Sequence, residues 1–204
     1  ISTYNSLDNL IIDIIDFSDS VLGVTENKKR LNDDYEEYLG IRNTTQLWTT
    51  KALLQNFIIF KTDTFDTLDI PAMSFENISQ EEFENNFRVS QDGYDRASQL
   101  LKELTTVMDN SVVSIWSLTQ AQIDGFKWQI NGYQAQVDQS FSGYGSYNSQ
   151  VISFLNTYKN TEKSAEENLE LLQDEIGILE KNRNITDGDL DTALQNNLIN
   201  LERA

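Results

Sequence analysis

From about Glu82 to Val137 the chain returns an apolar residue every three or four positions, with no proline and almost no glycine to interrupt it. Ala97, Leu101, Leu104, Met108, Val112, Ile115 and Leu118, then Ile123, Phe126, Ile130, Tyr133 and Val137, fall on one stripe of a helix. At 1.5 Å per residue that helix would run roughly 85 Å, several times the ordinary globular length. A chain built on such a repeat reads as a rod that buries one helical face against others, which points to assembly or mechanical work.

The remaining segments carry the same period. Between Thr3 and Leu22 the residues Leu7, Leu10, Ile11, Ile14, Phe17 and Val21 share a face, and Gly23 is placed to close the helix. A second helical stretch is expected from Glu26 through Tyr35, Tyr38 and Leu39, with a kink at Gly40, resuming through Leu47, Trp48, Leu53, Leu54, Phe57 and Ile58. The pattern fails between Lys61 and Ser79, around Asp63, Asp66, Asp69 and the only proline, Pro71, which marks a connection. Ser79 and Glu82 have the spacing of a capping box at the next helix start. Residues 140–150 (SFSGYGSYNSQ) hold Gly143 and Gly145 and no charge. Two glycines cost a helix about 1 kcal/mol each, which predicts a hairpin tip. The seam returns as Val151, Phe154, Tyr158, Ala165, Leu169, Leu172, Ile176 and Leu179, and a short C-terminal helix carries Leu190, Leu194, Leu198 and Leu201. The expected fold is therefore all-α, an elongated antiparallel helical bundle with coiled-coil character. It forms one domain: N-terminal helices 1–60, connection 61–79, long helix 80–139, tip 140–150, return helix 151–183 and short helix 184–204.

The chain contains neither histidine nor cysteine. That removes Ser-His and Cys-His nucleophile pairs, histidine bases and thiolate metal sites, so a non-enzymatic role is expected. Carboxylate-only catalysis needs two acids fixed in a cleft, which nothing in the pattern suggests. Thirty-three acids against 15 bases give a net charge of -18. Such a surface repels phosphate backbones, which makes nucleic acid a poor partner, and attracts calcium, protons or a basic protein. No apolar run reaches the length of a membrane span, since even Leu10 to Phe17 is interrupted by Asp13 and Asp16. The start at Ile1 reads as a trimmed polypeptide or as a chosen boundary.

Few residues stand out as sites. Asp187, Asp189 and Asp191 alternate like the first ligands of a calcium loop. Thr192 and Leu198, however, occupy the positions of its glycine and closing glutamate, and Thr186 with Asp189 explains the same residues as a helix N-terminus. Phe141, Tyr144 and Tyr147 at the expected tip are candidate contact residues, because tyrosine anchors an interface with little entropy to lose; a plain turn is the alternative. Asp13, Asp16 and Asp19 read as a solvated face, and Trp48, Trp116 and Trp128 as packing within apolar seams.

In overall character, an acidic, cysteine-free, Asn- and Gln-rich chain with heptad-like seams such as ASQLLKELTTVMDN (97–110) and EENLELLQDEIGILEKNR (166–183) resembles the ciliate secretory-granule core proteins, the trichocyst matrix or granule lattice family. The resemblance implies a proteolytically matured helical subunit in a granule lumen. It would pack with itself or with homologous chains into a lattice that responds to calcium or pH. Two other classes remain open. A helical pore-forming or host-contacting toxin would need a more apolar hairpin than 140–150 offers, and a coiled-coil scaffold or adaptor would form a discrete oligomer indifferent to calcium.

Overall fold

The computed structural model describes residues 2–68 and 80–202, and among these the chain is all-α. Four α-helices follow in order: α1 (Ser2–Leu22), α2 (Thr44–Phe60), α3 (Gln80–Asp109) and α4 (Gln120–Glu202). The fold divides into two compact units, residues 1–148 and 149–204. The capping serine expected at Ser79, together with Asp69 and Pro71, lies outside the described residues.

In the first unit the apolar stripes close on one another as a helical bundle. All six residues of the α1 face, Leu7, Leu10, Ile11, Ile14, Phe17 and Val21, are buried. They meet Leu54, Phe57 and Phe60 of α2 and Tyr94, Ala97, Leu100, Leu101, Leu104, Val107 and Met108 of α3 in one cluster, to which α4 adds Ile123, Ile130 and Val137. Within this unit, α3 and the part of α4 up to residue 148 run antiparallel. Asp109 pairs with Lys127, Ser98 accepts a hydrogen bond from Gln134 (3.1 Å), Tyr94 meets Phe141, and Phe87 meets Tyr144, so partners descend one helix as they climb the other. Gly93 lets α3 approach α1 closely, since a Cβ there would stand 3.1 Å from Cδ1 of Ile11.

Helix α1 ends where expected. Gly23 takes a left-handed φ of +63°, and an added Cβ would strike the Asn32 side chain at 2.4 Å. Asp19 belongs to this closure and not to a solvated face: it is buried, and its Oδ1 accepts from the amides of Val24 (2.8 Å) and Thr25 (3.0 Å). The helix expected from Glu26 does not form. Residues 25–35 coil through turns such as Lys28 N to Thr25 O (3.0 Å) and Leu31 N to Lys28 O (2.8 Å), because Asn32 is drawn inward to donate to the Val21 carbonyl. Two short 3₁₀ turns, Glu36–Tyr38 and Ile41–Asn43, flank the bend at Gly40 (φ +58°). Asn43 then caps α2 by accepting from the Gln46 amide at 3.1 Å.

The expected connection at 61–79 begins later than its first residue. Lys61–Phe65 continues α2 as a π-helical turn that buries Lys61 and Phe65. Lys61 Nζ bridges Asp8 of α1 (2.9 Å) and Asp66, and lies 5.7 Å from the centre of the Phe65 ring. Burial alone would lower the lysine pKa, but the hydrogen bonds and charges of Asp66 and Asp8 outweigh it and hold the group above its usual value.

The expected long helix 80–139 is broken. Helix α3 stops at Asp109 and α4 starts at Gln120. Between them Ser111 Oγ accepts from the Gly40 amide (2.9 Å) and donates to the Val107 carbonyl (2.8 Å), while Val112 N donates to Tyr38 O (3.0 Å). The β-branched and serine-rich run SVVSIWS has weak helical preference, so these contacts to the 38–43 segment win. Helix α4 restarts on a capping box: Thr119 Oγ1 accepts from Gln122 N (3.3 Å), and Gln122 Oε1 accepts from Thr119 N (2.8 Å).

The tip expected at 140–150 is also absent, because α4 passes through Gly143 and Gly145 without a turn. Phe141 packs edge-on to Tyr94 (5.5 Å between ring centres), and Tyr144 stacks on Phe87 (4.9 Å, 3° between planes). Aromatic pairs contribute about 0.5–1.5 kcal/mol each, which offsets the helical cost of two glycines. Nor does a separate short helix begin after 184–187. Thr186 Oγ1 donates to the Asn182 carbonyl one turn back (3.0 Å), as a residue inside a helix does.

Candidate assembly surface

In residues 149–204 the described side chains are exposed, with the exceptions of Val151 and Leu155. Yet the sequence of this unit keeps the seam. Ala165, Leu169, Leu172, Ile176 and Leu179 advance by four, three, four and three residues, the spacing of d and a positions in a heptad. Leu169, Leu172, Ile176 and Leu179 retain 55–61% of their surface. A second line, Leu171, Ile178 and Ile185, recurs every seventh residue and is equally open. An isolated amphipathic helix gains most of its stability from packing such a face, so an uncovered face of this length is a candidate interface.

Charges border the seam. Glu166 and Glu180 lie on one flank, Glu175 on the other, and none of the three forms an ion pair among the described residues. Two ion pairs of this unit, Lys163 to Glu167 (3.7 Å) and Arg183 to Asp187 (3.6 Å), run along the helix and leave the seam uncrossed.

The other sites expected from sequence are arranged differently. Asp187, Asp189 and Asp191 lie within α4, where a two-residue step turns the helix by about 200° and carries Asp189 away from its neighbours. Among the described residues no group of three acids is placed to hold a metal, and the alternation that suggested a calcium loop is here a helical surface. Because the helix begins at Gln120, Thr186 and Asp189 are not its N-terminus either.

Of the contact residues expected at a tip, Tyr144 is half-buried against α3, while Phe141 and Tyr147 stay near 40% exposed. Burial pushes the phenol of Tyr94, at the centre of this aromatic group, up to about 12, with Tyr144 adding to the rise; burial likewise raises Tyr144. These rings tie α3 to α4 and do not form a free aromatic tip.

The three tryptophans do not pack as expected. Trp48, Trp116 and Trp128 are exposed, Trp116 to 94%, beside Ile115 on the short segment that breaks the expected long helix. There the 3–4 spacing ceases to be a face once the backbone leaves the helix, and of the apolar residues in that stretch only Leu118 remains buried. No helix among the described residues is long and apolar enough to cross a membrane.

The chain matches no known family model, and comparison with curated proteins and with solved structures finds no significant relative.

Proposed function

We propose that the protein is a structural subunit that joins neighbouring chains through the helical face of residues 165–185. The observation that carries this reading is the exposure of Leu169, Leu172, Ile176 and Leu179 at heptad spacing, where the same spacing within the first unit is buried. A buried leucine side chain contributes about 1.5–3 kcal/mol, so four or five seam residues supply ample drive for helix pairing. The matrix of a secretory granule is the setting we assign to it. A chain of net charge -18 packs closely with self or homologous chains only when calcium, protons or a basic partner offsets its carboxylates.

Sedimentation of the full chain, with and without millimolar calcium between about pH 5 and pH 8, tests the reading, since carboxylates take up protons toward the acid end of that range. Assembly that grows with acid or calcium, and that is lost in Leu172→Asp and Leu179→Asp, supports it. A chain that stays monomeric in every condition and takes up no helical partner would count against it. A discrete oligomer indifferent to calcium and pH would favour a coiled-coil scaffold instead.

A further inference from the structure

The occupant of the 165–185 face can be specified from the charges around it. With Leu169 as an a position, Leu172 and Leu179 fall at d, Glu166 and Glu180 at e, and Glu175 at g, and the e and g positions between 166 and 182 hold no lysine or arginine. In a parallel pair of identical chains the g residue of one helix meets the following e residue of the other, so Glu175 would face Glu180 twice. In an antiparallel pair e meets e and g meets g, which offers only acids and amides. Neither pairing of two copies brings a cation to an anion, and like charges across a helical interface disfavour it.

Glu175 is more tightly constrained than its neighbours. On the helical wheel it lies between the line of Leu172 and Leu179 and the line of Leu171 and Ile178, which are separated by about 100°. A partner wide enough to cover both apolar lines must cover Glu175, and a carboxylate taken from water without a counter-charge is strongly unfavourable. A lysine or arginine supplied by the partner removes that penalty.

Resting on the reading of this face as an interface, we infer that it binds a second protein's amphipathic helix whose positions flanking the apolar seam are lysine or arginine. Leucine or isoleucine fills the space over Leu169, Leu172, Ile176 and Leu179, and the partner's cations meet Glu166, Glu175 and Glu180. The preferred neutral-pH neighbour is thus a basic chain, not a second copy.

The test uses the full chain and two synthetic four-heptad peptides with leucine at a and d, one with lysine and one with glutamate at e and g. Fluorescence anisotropy at low salt and neutral pH is expected to give at least about tenfold tighter binding of the lysine peptide, narrowing as salt rises. Leu172→Asp should abolish binding. Glu175→Lys with Glu180→Lys, checked for unchanged helicity by circular dichroism, should reverse the preference toward the glutamate peptide.

Equal binding of both peptides, lost in Leu172→Asp, would overturn the charge assignment and keep the interface. Seam-dependent self-association at neutral pH as strong as the lysine complex would overturn it in favour of a second copy. Adsorption to phosphatidylcholine vesicles in preference to either peptide would overturn it in favour of a lipid surface. Absence of any peptide binding, self-association or vesicle adsorption would overturn both the inference and the reading of the face as an interface.

Discussion

Residues 97–108 and 165–179 carry nearly the same message and end in opposite environments. Both repeat leucine or its equivalents at steps of three and four, with charged residues on the remaining faces. Yet Leu101 and Leu104 are fully buried while Leu172 keeps 56% of its surface. The first stretch finds α1 and α2 within its own chain, and the second finds no cover among the described residues of its unit. Periodicity therefore states which side of a helix must be dehydrated. Whether the cover comes from the same chain or from another molecule is decided by what else folds nearby.

The sharpest way to break the comparison is to truncate a leucine in each region. Leu101→Ala and Leu104→Ala should each lower stability in chemical denaturation by about 3 kcal/mol, from lost burial and the cavity left behind. Leu172→Ala in the isolated chain should change it by less than about 0.5 kcal/mol, as exposed substitutions do. Equal losses would mean that the second seam is covered by its own chain.

The first unit should also reveal itself in alkali. Tyr35 and Tyr94 are buried, and burial pushes both phenols up to about 12 from an ordinary 10. Because the folded pKa lies above the unfolded one, their contribution is whole below pH 10 and is lost as pH rises toward 12. The loss is roughly 2–3 kcal/mol per tyrosine. Tyrosinate absorbance should show a late-ionising fraction of the eight tyrosines, Tyr35 and Tyr94 among it, that appears together with unfolding. Smooth titration of all eight near 10, with the helical signal intact, would contradict the packing around Tyr94.

A further contrast lies in the ionic contacts. Lys61→Ala leaves Asp8 half-covered at the α1 contact with no cation, and should cost about 2–3 kcal/mol in thermal or chemical unfolding. Lys163→Ala, which breaks an exposed pair along the helix, should cost under about 0.5 kcal/mol.

The smallest expected effect tests the continuity of α4. A Cβ at Gly143 or Gly145 would touch nothing within 4 Å, so each change to alanine should add about 0.5–1 kcal/mol and preserve helicity. Loss of helix or of the Tyr94 environment in these variants would restore a turn at 140–150.

Much of the fold is legible in the residues alone. The α1 face, its stop at Gly23, the bend at Gly40 and the α3 face from Ala97 to Met108 follow from periodicity and glycine chemistry, which are local properties. The break at 110–119 was signalled by Thr119 and Gln122 as a capping box and by the β-branched run before it, both masked by an apolar stripe that ran straight across. Passage of the helix through Gly143 and Gly145 could not be read locally, because the rings that hold it, Phe87 and Tyr94, lie some fifty residues earlier. For the same reason Asp19 passed as a surface charge: its partners are amides of a turn whose shape depends on Asn32. The seam of residues 165–185 was visible as a pattern, but its openness was not, since exposure depends on the rest of the fold.

Hydrogen exchange of the full chain, alone and with the lysine-flanked heptad peptide, tests the central contrast most directly. In the dilute chain alone, amides of 97–108 should be strongly protected and those of 165–182 should exchange far faster; adding the peptide should slow 165–182 and leave 97–108 unchanged. Protection of 165–182 equal to that of 97–108 before any partner is added would contradict the account.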